Sequence, residues 1–494
     1  MAVGDTVTLA DLGLTPVAGG YGLVVTGLCV DSRLVRPGHL FAALPGTRFH
    51  GATFAAAVLD AGAVAILTDA AGAKLIRALP GPAPVLIIAQ NPAEALARAS
   101  ALWFGAQPET MVAVTGTNGK TSVASFTRQI WEALGHPAIN IGTTGVEGAW
   151  EAPSTHTTPD AITLHAMLAA ASNAGVTHAA MEASSHGLDQ RRLEGVRLMA
   201  AGFTNLTQDH LDYHHTMEAY FDAKAALFTR LLPEDGMAVI NLDGARGPDI
   251  AALAQTRGLP TLTIGHAEGA DLRLLSHRYD ATGQDLRLGW RGQPYLVRLG
   301  LIGGFQAQNV AVAAGLCIAS GDDAQAVFAA LPRLTGVRGR MQLAATRSNG
   351  ASVFVDYAHT PDAIETALTA LRPHVMGAIH IVFGAGGDRD TTKRRLMGAA
   401  AAAHADHLIV TDDNPRSEDP AAIRAAILAA CPDASEVGDR AEAILRAVNA
   451  LQPGDALLIA GKGHETGQTI AGQTYPFDDV EQASLAVAAL DGMI

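Results

Sequence analysis

Apolar positions along the chain follow two periods. Short β-branched runs such as AVAILTD (63–69) and AIHIVFGAGG (378–387) come after stretches of helical period, FAAAVLDAG and AIETALTALRPHV. This alternation predicts an α/β protein with mainly parallel sheets. The spacing also predicts a helix over PAEALARASALWF (92–104), followed by turn chemistry in FGAQPET and the apolar run MVAVTG, so a domain border falls near residue 107. A second border falls in the Gly/Arg-rich TGVRGRMQ (335–342), between helix-like DAQAVFAALPRL and strand-like SVFVDYAH. Three domains are expected, at 1–106, 107–335 and 336–494, in keeping with 494 residues at about 150 per domain.

Composition narrows the function classes. With 49% hydrophobic and 17% charged residues the chain is expected to fold rather than stay disordered. A formal net charge of −14 argues against binding nucleic acid through phosphate neutralisation. Cys29, Cys317 and Cys431 are too few and too far apart for a disulfide framework or a CxxC site, which suits a reducing cytoplasm. The N-terminus lacks the charge and apolar pattern of a signal peptide. The longest apolar stretch, near 299–320, is interrupted by Gln306, Gln308 and Asn309, so no membrane insertion is expected.

The sharpest chemical signal is MVAVTGTNGKTS (111–122), where an apolar strand runs into Gly116-Thr117-Asn118-Gly119-Lys120-Thr121-Ser122 and then a helix-like segment. Glycines let backbone N–H groups turn toward a polyphosphate, the helix N-terminus adds positive potential, Lys120 neutralises charge and the Thr121 hydroxyl suits Mg²⁺. Gly116 stands three residues before Gly119, one step from the usual phosphate-loop spacing. ATP or GTP binding follows. The clusters 384–389 and 461–466 begin like dinucleotide fingerprints but carry Arg389 and Thr466 at the sixth position, so NAD is a poor fit; both follow strand-like runs and read as site loops of another kind.

Glu182 in HAAMEASSHG and His210 in FTNLTQDHLDYHH offer a carboxylate and an imidazole for Mg²⁺ beside a phosphate; a capped, solvated turn is the alternative for the second stretch. Lys224 in AYFDAKAALF, taken alone, is an ordinary exposed helical lysine. Arg389 and Arg416 have the planar fork that grips carboxylates, and Glu465 can accept from an ammonium, which together suit an amino-acid substrate. The alternative is a proline turn at DDNPR and a solvated helix face at TKRR.

Taken in order, DSR (31–33), GTNGKTS, HTTPD, EASSHGL, DHLDYH, FDAKAALF, GRM, DYAHTPD, GDRD, DNPR and GKGHE resemble the Mur ligase family, in its MurE type. The resemblance implies an N-terminal UDP-recognition domain, a central P-loop ATPase and a C-terminal Rossmann-like domain without NAD. It implies ATP-dependent addition of meso-2,6-diaminopimelate to UDP-N-acetylmuramoyl-L-alanyl-D-glutamate, a cytoplasmic step of peptidoglycan synthesis carried out by a monomer. It assigns Val30, Ser32, Thr47, Arg48 and Phe49 to the UDP end and Thr157, Thr158, Ser184, Gln190 and Arg192 to the muramoyl-peptide. Residues 116–122, with Asn309, Arg340 and Asp356, would hold ATP, and Thr121, Glu182, His210 and Lys224 the Mg²⁺. Lys224 would carry a CO₂-derived carbamate, turning a cation into an oxygen ligand. Arg389, Asp413, Asn414, Arg416, Gly461 and Glu465 would receive diaminopimelate, whose distal carboxylate L-lysine lacks. The catalytic set implied is Lys120, Glu182, His210 and Lys224, with domain closure keeping water from an acyl phosphate. Two positions depart from the family habit: Gln306 after Phe305, and Arg338 where proline is usual before GRM. An L-lysine-adding ligase, a folylpolyglutamate synthetase and a catalytically silent nucleotide-binding regulator are the competing readings; DNPR, HTTPD and the intact Lys120, Glu182, His210 and Lys224 speak against them in turn.

Overall fold

The computed structural model describes residues 7–46, 49–154 and 156–493. The chain forms two compact units, Met1–Ala270 with Val312–Val327, and Asp271–Ala311 with Phe328–Ile494.

The first unit opens with a parallel four-stranded sheet in the order Gly27–Cys29, His39–Ala42, Ala65–Thr68, Val85–Ile88. Side chains alternate across it as the pleat requires: Leu40, Ala42, Ala65 and Leu67 enter one core, Phe41 and Ile66 the other. The helix Pro92–Phe104 has the expected bounds. The Asn91 side chain caps it by accepting from the Glu94 N–H, proline occupies its first turn, and Gly105 at φ 72° ends it.

The same unit contains a second sheet, in the order Thr261–Gly265, Met237–Asn241, Ala200–Phe203, Thr110–Thr115, His178–Glu182, Ala138–Gly142, Gly145–Gly148. All neighbours are parallel except the last pair. Thr110–Thr115 lies between two strands that come later in the chain, so three strand ends converge where Gly116, Ala183 and Thr204 begin their loops. Ligands of open α/β sheets bind at this kind of position. Met111, Ala113, Ile139, Ile141, Met181 and Phe203 belong to one continuous core beside it.

In the second unit, residues 272–299 depart from the expected parallel pattern. Leu272–Asp280, Gly283–Trp290 and Gln293–Leu299 form an antiparallel meander because their connections are tight turns, with Gly283 and Gly292 at positive φ, too short for a crossover. A six-stranded sheet follows, in the order Gln342–Thr346, Ser352–Asp356, Ala456–Ala460, Ile379–Phe383, His407–Val410, Ser435–Glu436, parallel apart from the first pair. Helices cover both faces, so its central strands are apolar at nearly every position. A fully buried ion pair, Arg440 with Asp479, lies beside it, and Arg440 also donates to the carbonyl of Ala460 at 3.0 Å.

The apolar stretch near 299–320 contains the helix Phe305–Ala319, and among the described residues no helix is long and apolar enough to cross a membrane. All three cysteines are buried and unpaired, and burial raises their thiol pKa values.

Candidate active site

Thr115 ends its strand, and the chain turns at once through Gly116 (φ 149°) to Gly119 (φ 89°), conformations that disfavour side chains. Gly116 also packs against the Thr204 hydroxyl, leaving no space for a β-carbon. The loop is held from the neighbouring strand end: Thr117 N–H donates to the Asn205 carbonyl at 2.9 Å, Thr204 Oγ1 to the Asn118 carbonyl at 2.6 Å, and Asn118 N–H to Asn205 Oδ1 at 3.0 Å. Lys120 opens the helix Lys120–Ala133 and folds back over the loop, its Nζ donating to the carbonyls of Gly116 (2.9 Å) and Thr117 (2.8 Å). Thr121 and Ser122 are buried in the first helical turn. A lysine arched over a loop at a helix N-terminus is the arrangement that receives a polyphosphate.

Glu182 ends the adjacent strand and is fully buried. Its carboxylate accepts from the Thr121 hydroxyl at 3.1 Å and from the Thr143 N–H at 2.7 Å. Gly142 makes room for it, since a β-carbon there would overlap Oε1. Hydroxyl and carboxylate oxygens side by side suit Mg²⁺, which keeps several waters and takes phosphate oxygens. Among the described residues no three His, Cys, Asp or Glu side chains form a metal cage of their own.

Lys224 is buried in the helix Met217–Ala226, which corrects its reading as an ordinary exposed lysine. Its Nζ donates to the Gly116 carbonyl at 2.6 Å and lies 4.5 Å from the centre of the Tyr220 ring. Burial, together with the Lys120 charge, pushes the Lys224 pKa well down. The Tyr220 hydroxyl is 3.2 Å from Thr117 Oγ1, so this tyrosine links helix and loop. His210 stands at φ 54° ahead of a short helical turn, edge-on to His186 at 4.9 Å. Its side chain is nearly half exposed, and partial desolvation lowers its pKa, with Lys120 and Lys224 among the contributing charges. The stretch 203–215 is mixed: Phe203, Thr204, Leu206 and His214 are buried, while Gln208, His210, Asp212 and His215 are exposed as in a solvated turn.

The residues assigned to the muramoyl-peptide adjoin this loop. Thr157 Oγ1 is 3.0 Å from Thr143 Oγ1; Thr158 Oγ1 donates to the Glu182 carbonyl at 2.9 Å and accepts from Ser184 N–H at 3.0 Å. Arg192 donates to the Thr158 carbonyl at 2.6 Å and to Gln190 Oε1 at 2.6 Å. Val30 and Ser32 follow the first strand of the N-terminal sheet, and Phe49, 70% exposed, follows the second. Thr47 and Arg48 lie outside the described residues.

In the second unit, Asp356 ends the strand Ser352–Asp356 and accepts from the N–H groups of Met341 (2.6 Å) and Ala358 (2.8 Å). Burial raises its pKa, against the pull of Arg340, whose guanidinium lies 4.6 Å from the Tyr357 ring centre. Asn309 makes its hydrogen bond within its own helix, donating to Gln306 Oε1 at 3.2 Å. The other departure from family habit, Arg338, pairs with Asp478 at 2.7 Å.

The DNPR and GKGHE loops lie together. Asn414 Nδ2 donates to Glu465 Oε2 at 2.8 Å, and a β-carbon on Gly461 would stand 2.8 Å from Asp413 Oδ2. Arg416 (φ 53°) is half-buried and donates to the Gly387 carbonyl at 2.7 Å, and Arg389 is exposed. Neither guanidinium is fully enclosed by the protein. The segment is more than a proline turn, because Asp413 and Asn414 are buried. The TKRR helix face is only partly solvated, since Arg394 is buried and paired with Glu418 at 2.9 Å. Sequence reasoning missed Thr143, Tyr220 and the buried Lys462. A lysine between two glycines directly after the wholly apolar ALLIA was the available signal for Lys462.

Three family models match: Mur ligase family, catalytic domain, at residues 24–103; Mur ligase middle domain at 114–317; and Mur ligase, glutamate ligase domain, at 339–463. The chain is 51% identical over 475 residues to the UDP-N-acetylmuramoyl-L-alanyl-D-glutamate–2,6-diaminopimelate ligase of Caulobacter vibrioides, covering 95% of this chain and 96% of that one. It is 51% identical over 473 residues to the ligase of the same name from Bradyrhizobium diazoefficiens, covering 94% and 96%. A solved structure of a 2,6-diaminopimelate ligase of that name superposes with TM-score 0.71 at 34% identity, over 98% of this chain and 99% of the other. The fold and its phosphate loop define an ATP-dependent α/β ligase. The chain belongs to the Mur ligase family.

Proposed function

We propose that the protein joins meso-2,6-diaminopimelate to the D-glutamate carboxylate of UDP-N-acetylmuramoyl-L-alanyl-D-glutamate, a step of peptidoglycan synthesis located in the cytoplasm by its nucleotide substrates. The observation that carries this reading is near-full-length identity of about half to two ligases of that name, with DNPR intact. The N-terminal domain (1–106) would take the UDP end, the central one (107–335) ATP, and the C-terminal one (336–494) the amino acid.

A D-glutamate carboxylate oxygen attacks the γ-phosphorus of ATP, forming an acyl phosphate and releasing ADP. Lys120 and the loop N–H groups oppose the charge spread over the phosphoryl oxygens. Arg192, Thr157 and Thr158 orient the peptide. A deprotonated amine of diaminopimelate then attacks the acyl carbon, inorganic phosphate leaves, the nitrogen loses its remaining extra proton and the amide remains. Asn414 and Arg416 engage the distal end of diaminopimelate; L-lysine, lacking the distal carboxylate, forgoes the charge-assisted contact with the half-buried Arg416 and binds less well.

Thr121 and Glu182, with His210 and Lys224 nearby, would hold Mg²⁺, which supplies charge neutralisation for the phosphates. Lys224 fits the role through a carbamate: a buried amine with a lowered pKa is nucleophilic toward CO₂, and N–C bond formation with loss of one proton yields an anionic oxygen donor.

The test is phosphate release and UDP-muramoyl-tripeptide formation with ATP, Mg²⁺ and the UDP-muramoyl-dipeptide, comparing diaminopimelate, L-lysine and no amino acid. Product with diaminopimelate alone is expected. Efficient product with lysine would overturn the specificity, and nucleotide binding without either product would favour a silent regulator.

A further inference from the structure

Lys462 is the least expected charge in the second unit. It follows a wholly buried strand, and its own side chain has no exposed surface. An ammonium removed from water needs both opposite charge and acceptors for its three protons. Here the acceptors are the Gly467 carbonyl at 2.6 Å, Asn414 Oδ1 at 3.3 Å and Glu465 Oε2 at 3.4 Å. Asp413 Oδ1, buried and accepting no hydrogen bond, lies 3.9 Å away. One cation therefore faces two carboxylates on two different loops, those following the strands His407–Val410 and Ala456–Ala460.

The same nitrogen helps set the direction of the Asn414 amide. Asn414 Oδ1 accepts from both Lys462 Nζ and the Thr469 N–H (2.9 Å), which leaves Nδ2 directed at Glu465 Oε2. Without Lys462, Asp413 and Glu465 would repel across the gap, Asn414 would lose one of its two fixing donors, and the loop pair would become more negative. Greater negative charge weakens a ligand with a distal carboxylate and relatively favours one with only an ammonium at that end.

We propose that Lys462 is a positioning residue for amino-acid selection, locking the DNPR and GKGHE loops into the geometry and charge that favour a substrate with a distal carboxylate. This rests on the reading that these loops receive diaminopimelate, and the wild-type assay tests that reading separately: a wild type inactive with diaminopimelate removes the reading itself.

With an active wild type, full-length Lys462→Met and Lys462→Arg are compared by steady-state kinetics for diaminopimelate, L-lysine and ATP, with thermal melting as the fold control. Lys462→Met is expected to lower kcat/KM for diaminopimelate about 100-fold, mainly through KM, with KM for ATP within about 2-fold. Its preference for diaminopimelate over lysine should fall about 10-fold, and Lys462→Arg should recover much of both losses. A folded Lys462→Met enzyme within about 3-fold of wild type, or one whose ATP and diaminopimelate parameters worsen together, overturns the proposal. If Lys462→Met does not fold, the polar, uncharged Lys462→Gln decides: a raised KM for diaminopimelate with KM for ATP unchanged supports the role, and unchanged or jointly worsened parameters refute it.

Discussion

Lys224 Nζ donates to the Gly116 carbonyl at 2.6 Å, although 108 residues separate the two in the chain. The contact ties the helix Met217–Ala226 to the first residue of the phosphate loop and holds an amine out of water beside it. Its chemical consequence can be read with labelled CO₂. Enzyme equilibrated with ¹³C-bicarbonate should show a slowly exchanging carbamate carbon by NMR that is absent in Lys224→Ala. Depleting CO₂ should lower activity reversibly; a wild-type spectrum with no such signal would remove the carbamate from the mechanism.

Glu182 accepts from both Thr121 and Thr143, so loss of its charge affects two elements at once. Glu182→Gln should reduce kcat by about 10²-fold and raise the Mg²⁺ concentration needed for half-maximal phosphate release. Thr121→Ala should move the Mg²⁺ requirement the same way. Unchanged Mg²⁺ titrations in both variants would contradict a shared metal role.

The Arg440–Asp479 pair has no exposed surface on either side chain. Asp479→Ala leaves a buried guanidinium uncompensated, and such losses cost about 3–5 kcal/mol. Urea denaturation should show that loss. Because Arg440 also anchors the Ala460 carbonyl just before GKGHE, KM for the amino acid should rise as well.

His165 is buried with Nε2 2.9 Å from the Glu194 carbonyl oxygen, and burial lowers its pKa to about 4. The unfolded chain takes up a proton near pH 6.5 and the folded one only near 4, so stability is full above the first value and falls as pH drops toward the second. The slope from this group is about 1.4 kcal/mol per pH unit. Urea midpoints across pH 4–7 should show a smaller acid loss in His165→Gln.

Arg338, where proline was expected, makes an ion pair in which its side chain is half exposed. Arg338→Ala should leave stability within about 0.5 kcal/mol and turnover near wild type, since exposed pairs contribute little.

Much of this architecture is legible in the sequence because the signals are local. The period change at 92–104, the strand before Gly116 and the strand-ending Glu182 are set by neighbours within a few residues. The misses have a common physical origin. Lys224 reads as a surface lysine and Lys462 draws no reading of its own because partners distant in sequence hold them: Gly116 for the first, Asn414 for the second. The Arg440–Asp479 pair joins two helices whose periodicity carries no trace of the contact. The meander at 272–299 escaped the parallel expectation because alternating polarity marks a strand but not the direction of its partner.

The three cysteines supply a different consequence. Sequestered thiols held mostly in their protonated form react slowly with alkylating reagents. The native protein is therefore a nearly blank background for thiol chemistry: one cysteine placed at an exposed position such as Leu343 or Met376 should accept a fluorophore or spin label selectively, with Cys29, Cys317 and Cys431 left in place.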